Sequence, residues 1–237
     1  MNRTLFIFLF LLCLSNTWAQ TLIGAWENTN LLSKGQPLTN IIIFSEGHQV
    51  STWFNTKTGA FVSTNGGKWV LKGDEITETV EFDSKNPDQV GAMVSFRIEL
   101  SEEKLKIKGD DSIWTRIDDG ISGALAGAWL MSGRKRNGEF RTRDTDRPRK
   151  TMKILSDTRF QWIAYNTDTK EFMGSGGGTY TTIDGKYTEN IEFFSRDDSR
   201  VGASLQFNYE VKDEDWHHSG FSSKGDPLYE VWSIRKQ

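Results

Sequence analysis

Apolar and polar positions alternate with a period of two along most of this chain. From Arg159 to Asn166, Phe160, Trp162 and Ala164 fall on one side and Gln161, Ile163 and Tyr165 on the other. Lys186 to Phe194 sets Tyr187, Glu189, Ile191 and Phe193 against Thr188, Asn190 and Glu192, and Leu205, Phe207, Tyr209 and Val211 oppose Gln206, Asn208 and Glu210. Successive side chains of a strand point to opposite faces, so the pattern predicts sheets with one wet face. Ser156-Asp157-Thr158, Asp184-Gly185 and Lys212-Asp213-Glu214-Asp215 interrupt it at hairpin spacing, as do Gly73-Asp74 and Ser101-Glu102-Glu103 upstream. Helical periodicity is absent outside the N-terminal apolar run.

The pattern is written twice. Ser45 to Glu99 matches Ser156 to Glu210 at a constant offset (156 − 45 = 111) with no gap. Asn55, Phe61, Gly66-Gly67, Thr77-Glu78, Glu81-Phe82 and Val90-Gly91-Ala92 return as Asn166, Phe172, Gly177-Gly178, Thr188-Glu189, Glu192-Phe193 and Val201-Gly202-Ala203. Gly24-Ala25-Trp26 and Gly127-Ala128-Trp129 open the copies, and Trp114 and Trp232 close them. A unit of roughly a hundred residues has the size of a small domain rather than of a solenoid repeat. The turns divide each copy into about eight strands, and a short meander of that size closes most economically into an up-and-down barrel, because closure removes exposed edges. An open sandwich is the alternative. The expected organisation is a barrel over residues 20–118, a small, turn-rich linker over 119–125 and a second barrel over 126–237.

Arg3, the apolar run Leu5–Leu14 and the stretch ending Thr17-Trp18-Ala19 have the form of a secretory signal cleaved after residue 19. The run is shorter than the roughly 20 residues that span a bilayer, and nothing downstream is long and apolar enough to do so. The expected location is therefore secreted or periplasmic. Cys13 is the only cysteine, so the exported chain would have no disulfide, thiolate nucleophile or thiolate metal site. Losing Arg3 takes the formal charge from −3 to −4, which offers no general attraction to nucleic acid. His217 and His218 are neighbours on an expected strand and point to opposite faces, so no His-rich metal site is expected, and no cofactor fingerprint stands in the chain.

The Gly-x-Trp openings, Gly24-Ala25-Trp26 and Gly127-Ala128-Trp129, resemble the first-strand signature of lipocalins and related calycin barrels. That resemblance implies that the tryptophan closes one barrel end beneath a basic residue of the last strand, a role Arg116 fits after Trp114. In the second copy Arg235 stands one place later after Trp232 and is expected on the other face. Met152-Lys153-Ile154-Leu155, Gly174-Ser175-Gly176-Gly177-Gly178-Thr179-Tyr180 and Trp216-His217-His218-Ser219-Gly220 resemble, more closely, a lipocalin-like family of secreted bacterial proteins that is a domain of unknown function. The family implies the fold and supplies no activity.

Among candidate functional residues, Glu78 and Glu189 share their strand faces with apolar neighbours and so point into the barrels, where an ionised carboxylate is costly unless compensated. Each is read either as a ligand-orienting group or as a structural partner. Trp53, Trp69 and Trp162, with Tyr180 in the place of Trp69 and Tyr187 beside Glu189, are candidate pocket walls, and His218 is a candidate single acid or base. Gly176-Gly177-Gly178 precedes a strand rather than a helix and is read as a bulge. Between Trp129 and Thr151 the second copy is eight residues longer (111 − 103 = 8) and rich in arginine and lysine, either a basic lid for an anionic ligand or a solvated loop. The expected function is capture of a small, partly apolar molecule, anionic if the lid takes part, with the second barrel as the preferred site. The alternatives are an enzyme using Glu189 and His218, and a non-catalytic structural or protein-binding module with filled barrels.

Overall fold

A computed structural model describes residues 21–236 other than 34, 223 and 224. The expected leader, residues 1–19, lies outside them. The strands of the first repeat are β1 (Gly24–Ser33), β2 (Gln36–Ser45), β3 (His48–Asn55), β4 (Phe61–Lys72), β5 (Glu75–Asp83), β6 (Met93–Leu100), β7 (Lys104–Ile107) and β8 (Ile113–Asp118). They pair in sequence order, and β8 returns to β1 to close an antiparallel barrel. The second repeat has β9 (Gly127–Arg136), β10 (Glu139–Thr142), β11 (Arg149–Leu155), β12 (Arg159–Asn166), β13 (Glu171–Ile183), β14 (Lys186–Phe194), β15 (Ser204–Lys212), β16 (Asp215–Phe221) and β17 (Pro227–Ile234). It closes through β17 on β9, with β10 as an extra strand along β9. No described helix is long and apolar enough to cross a membrane.

The repeat in sequence is also a repeat in strand pairing. Leu105 pairs with Trp114 as Trp216 pairs with Trp232, and Glu78 pairs with Trp69 as Glu189 pairs with Tyr180. The glycines of the opening motif have positive φ, +119° at Gly24 and +136° at Gly127. A Cβ on Gly24 would lie 2.1 Å from the carbonyl oxygen of Asp118, so β1 and β8 can close only around a glycine. Trp26 and Trp129 then donate from Nε1 to the carbonyls of Leu22 and Leu125, each at 2.9 Å. Arg116 lies over Trp26 with Cζ 4.0 Å from the ring, and its guanidinium donates to the carbonyls of Thr21 and Ile23. Gly176–Gly178 forms the expected bulge, with β13 slipping against β14 between Gly177 and Gly178, as β4 slips against β5 between Gly66 and Gly67.

The expected single wet face fails where the barrels meet. β2, β3, β11 and β12 are buried on both sides. Their outward residues Ile41, Ile43, Val50, Phe54, Met152, Ile154, Ile163 and Tyr165 join Phe82 and Phe193 in one core shared by the two barrels. Repeat-equivalent residues meet their counterparts there. Phe61 stacks on its equivalent Phe172 (centroids 5.9 Å apart), Phe54 on Phe193 at 5.3 Å, and the equivalent pair Tyr165 and Phe82 at 4.9 Å. The interface is thus a pseudo-twofold of the kind two identical subunits form.

Several polar groups in this interface are paired across it. Thr52 donates to Gln161 Oε1 at 2.6 Å, and Gln161 Nε2 donates to Thr64 and Ser175 at 3.0 and 2.8 Å. Arg235 does face away from the interior of its own barrel: it binds both carboxylate oxygens of Glu81 at 2.6 and 2.8 Å, and Tyr165 donates to the same group. Arg159 reaches Glu192 of its own barrel and Glu27 of the other. Buried His48 lies at this face, where burial and then the charge of Arg235 push its pKa down to about 4. Residues 119–126 are fastened to the second barrel by Gly123 and Ser122, which donate to Asp157 at 2.6 and 3.0 Å.

A shared core couples the barrels energetically. Urea unfolding followed by tryptophan fluorescence and by far-UV circular dichroism is expected to give one coincident transition. Phe193→Ala should shift that whole transition by about 3–5 kcal/mol. Two separable transitions, with only the second moved, would contradict the coupling.

Candidate functional site

The two barrel interiors differ, although their strands superpose in register. In the second, Lys153 on β11 points inward and its Nζ lies 2.7 Å from Oε1 of Glu189 on β14, with both side chains less than a tenth exposed. The ammonium also sits 4.9 Å from the ring centroids of Tyr187 and Trp216 and 5.2 Å from that of Trp232. Opposite charge and the electron-rich ring faces compensate an ion pair that would otherwise be expensive to bury. Tyr187 and Trp216 have no exposed surface and Trp232 only 2%, so these rings occupy the interior.

Beside them His218 Nδ1 faces Glu230 Oε2 at 3.4 Å, and Trp232 Nε1 donates to that oxygen at 3.2 Å. Burial and then the charge of Lys153 hold the His218 pKa down. Burial and then the charge of Glu189 push the Tyr187 phenol far above its ordinary value. Tyr180 is tied through Oη to the Ser156 carbonyl at 2.6 Å, and Trp162 leans on Phe194 at 5.6 Å. His217 faces outward and bonds Tyr229 at 2.8 Å. Glu189 and His218 are thus each engaged with another partner, Lys153 and Glu230, rather than joined as an acid–base pair.

Among the described residues, open space is found in the first barrel. A cavity of about 320 Å³ opens at the end away from Trp26, between Leu31, Trp53, Asp110 and Ser112. The offset of 111 explains it: Trp162, Tyr187 and Trp216 of the second barrel are replaced by Ser51, Ile76 and Leu105, all of which line the cavity. Removing three large rings from a packed interior leaves room that the smaller side chains cannot fill. Ile42, Phe96, Ile98, Ile107 and Trp114 complete an apolar wall, on which Gln49, Ser51, Asn65 and Glu78 are the polar groups. Trp114 is held by a bond from Nε1 to Asn40 Oδ1 at 2.6 Å, and Asn40 in turn donates to Ser51 at 3.0 Å.

Glu78 is the chemical centre of this wall. Gln49 Nε2 donates to its Oε1 at 2.6 Å, and Ile42 stands where the second barrel has Lys153. Burial, opposed by the Gln49 bond and assisted by Asp83, pushes its pKa up to about 7. Of the other first-barrel candidates, Trp53 lies at the mouth, whereas Trp69 is bonded through Nε1 to the carbonyls of Ser45 and His48 and serves the framework. Lys153, Gln49 and Ser51 were missed by sequence reasoning. Lys153 was detectable as a lone charge in the apolar run Met152–Leu155, and the other two as small or polar residues where the second copy has Phe160 and Trp162.

The basic insert is a hairpin of β9 and β10 turned at Asn137-Gly138, both with positive φ. Three of its charges bind locally: Arg143 donates to Thr151 at 3.0 Å, Lys150 to the carbonyls of Thr145 and Arg147, and Arg141 pairs with Glu139. None of its residues lines the first-barrel cavity. Among the described residues no cluster of three or more His, Cys, Asp or Glu is placed to hold a metal ion.

Residues 124–235, the second repeat, match the family model described as domain of unknown function (DUF4488). No curated protein matches the chain. Among solved structures, an uncharacterized protein from Bacteroides eggerthii is similar, at 13% identity and a TM-score of 0.32, covering 46% of this chain and 98% of its own.

The buried pair of the second barrel yields a direct expectation. Lys153→Met leaves Glu189 uncompensated and should cost about 3–5 kcal/mol in chemical unfolding. The double variant Lys153→Met with Glu189→Gln should recover most of that loss.

Proposed function

We propose that this protein is an exported carrier that reversibly captures a small, partly apolar molecule in its first barrel. The observation that carries this reading is the open, largely apolar cavity with Glu78 and Gln49 on its wall, the arrangement usual for small-molecule sites. The lipocalin-like character of the sequence and its N-terminal signal pattern support it. The anionic ligand considered from the basic insert finds little support, since the ionisable residues on the cavity wall are Glu78 and Asp110, both acidic. The second barrel serves as the structural partner, its interior occupied by its own ion pair and rings. Acid–base catalysis by Glu189 and His218 is less well supported, because each is engaged elsewhere within a packed interior.

Refilling the cavity tests the reading. Ser51→Trp, which copies Trp162 of the second barrel, should weaken binding of a neutral apolar fluorophore such as N-phenylnaphthylamine by about tenfold or more, roughly 1.4 kcal/mol. Trp162→Phe should leave it unchanged. Equal binding by wild type and Ser51→Trp, titrated by fluorescence, would reject the first barrel as the site.

A further inference from the structure

The filled barrel shows what the open one lacks. Glu78 and Glu189 are equivalent (189 − 111 = 78) and sit at the same register, opposite Trp69 and Tyr180. Lys153 and Ile42 are equivalent as well (153 − 111 = 42), opposite Trp162 and Ser51. In the second barrel the chain supplies its own ammonium to the internal carboxylate and surrounds it with rings. In the first it keeps the carboxylate, removes the ammonium, and replaces two of the surrounding rings by Ile76 and Leu105. The space so made is the cavity.

Resting on the reading of the first barrel as a ligand site, we propose that its ligand is a primary or secondary amine on a compact apolar body. Its ammonium binds Glu78 as Lys153 binds Glu189. Gln49 holds Oε1 of Glu78 from one side, leaving Oε2 for the incoming N–H donor. Trp114, equivalent to the Trp232 that faces Lys153, remains on the wall to meet the cation or its alkyl stem. Ile76, Ile98, Leu105 and Phe96 receive the apolar body.

The surrounding charges agree with a cationic guest. On the strand of Glu78 itself, Asp83 adds negative potential and Glu75 pairs outside the barrel with Arg97 of β6. On β4, Lys68 and Lys72 are exposed, and on β7 Lys104 is exposed while Lys106 alternates with the inward Leu105 and Ile107. On β8, Arg116 is occupied at the closed end over Trp26. On β3, His48 alternates with the inward Gln49 and lies at the inter-barrel face, and Asp110 at the mouth is acidic. No lysine, arginine or histidine lines the cavity among the described residues. Compensation of a buried carboxylate by a bound ammonium is worth more here than at the surface, because the wall is apolar.

Binding is then linked to a proton. With Glu78 titrating at about 7, capture of an ammonium displaces the proton its carboxyl holds below that pH. Alkylamines, with pKa values of about 10.4, stay charged throughout this range. Affinity therefore rises as the pH is raised through about 7 and levels off above it.

Isothermal titration calorimetry of the full exported chain with n-octylamine, octanol and octanoate separates the possibilities. At about pH 8 the amine should bind at least about tenfold tighter than the alcohol, and the carboxylate more weakly than either. The amine should lose about tenfold between about pH 8 and about pH 6, following the ionised fraction of Glu78. Glu78→Gln should abolish both the amine preference and the pH dependence while keeping the alcohol. Ile42→Lys, which rebuilds the internal ammonium, should abolish amine binding. Should Glu78→Gln fail to fold, saturating octylamine should lower the Glu78 carboxyl pKa of the wild type in carbon-detected NMR. Equal affinity for amine and alcohol, a preference for octanoate, or an amine preference that survives Glu78→Gln would overturn the proposal while leaving a ligand site. Failure of all three compounds to bind would overturn that site as well.

Discussion

A carboxylate inside a small β-barrel must be compensated, and much of this molecule follows from how each repeat does so. Water solvates an ion far better than an apolar interior does, so a buried glutamate needs a partner, a strong donor or a proton. The second barrel uses a lysine of its own, set among buried aromatic rings. The first offers only an amide from Gln49, and the carboxyl answers by holding its proton to nearly neutral pH. One repeat-equivalent position thus gives an internal ion pair in one copy and an uncompensated carboxyl in the other.

The two bodies depend on each other through a face that neither could expose. Strands buried on both sides present Phe54, Phe82, Tyr165 and Phe193 to one another, and the repeat-equivalent stacking of Phe61 on Phe172 marks the axis of the arrangement. Such self-complementarity is the kind that joins two like units. Here it is internal to one chain, where no concentration-dependent association is needed to maintain it. The network of Arg235, Glu81 and Tyr165 then makes the contact specific, since each member would be an uncompensated polar group without the others.

Much of the architecture was legible in the sequence because it rests on local periodicity and on repetition. Alternation located the strands, turn residues divided them, and the constant offset assigned them to two barrels. Even the contrast between Arg116 and Arg235 followed from a one-residue shift on a strand. What was not legible depends on faces meeting at long range. Gln161 and Thr52 look solvent-facing in a period-two reading, yet they are satisfied by each other across the interface. Glu78 and Glu189 look interchangeable until Lys153 is placed opposite one and Ile42 opposite the other. The location of the cavity required comparing side-chain volume between equivalent positions, since hydrophobic pattern alone does not distinguish Trp162 from a gap beside Ser51.

The double burial of β2 and β3 has a mechanical consequence. The wall that carries Gln49 and Ser51 is clamped from outside by the neighbouring barrel, so it cannot breathe without loosening both bodies. The opposite wall, β6 and β7, shows most of its outer surface to solvent and ends near Asp110 at the mouth. Local opening concentrates where few buried contacts resist it, which makes this thinner side the easier one to open. The second barrel is therefore an anvil for the first: it braces the wall that carries Gln49 and Ser51 and leaves the far wall the less restrained of the two.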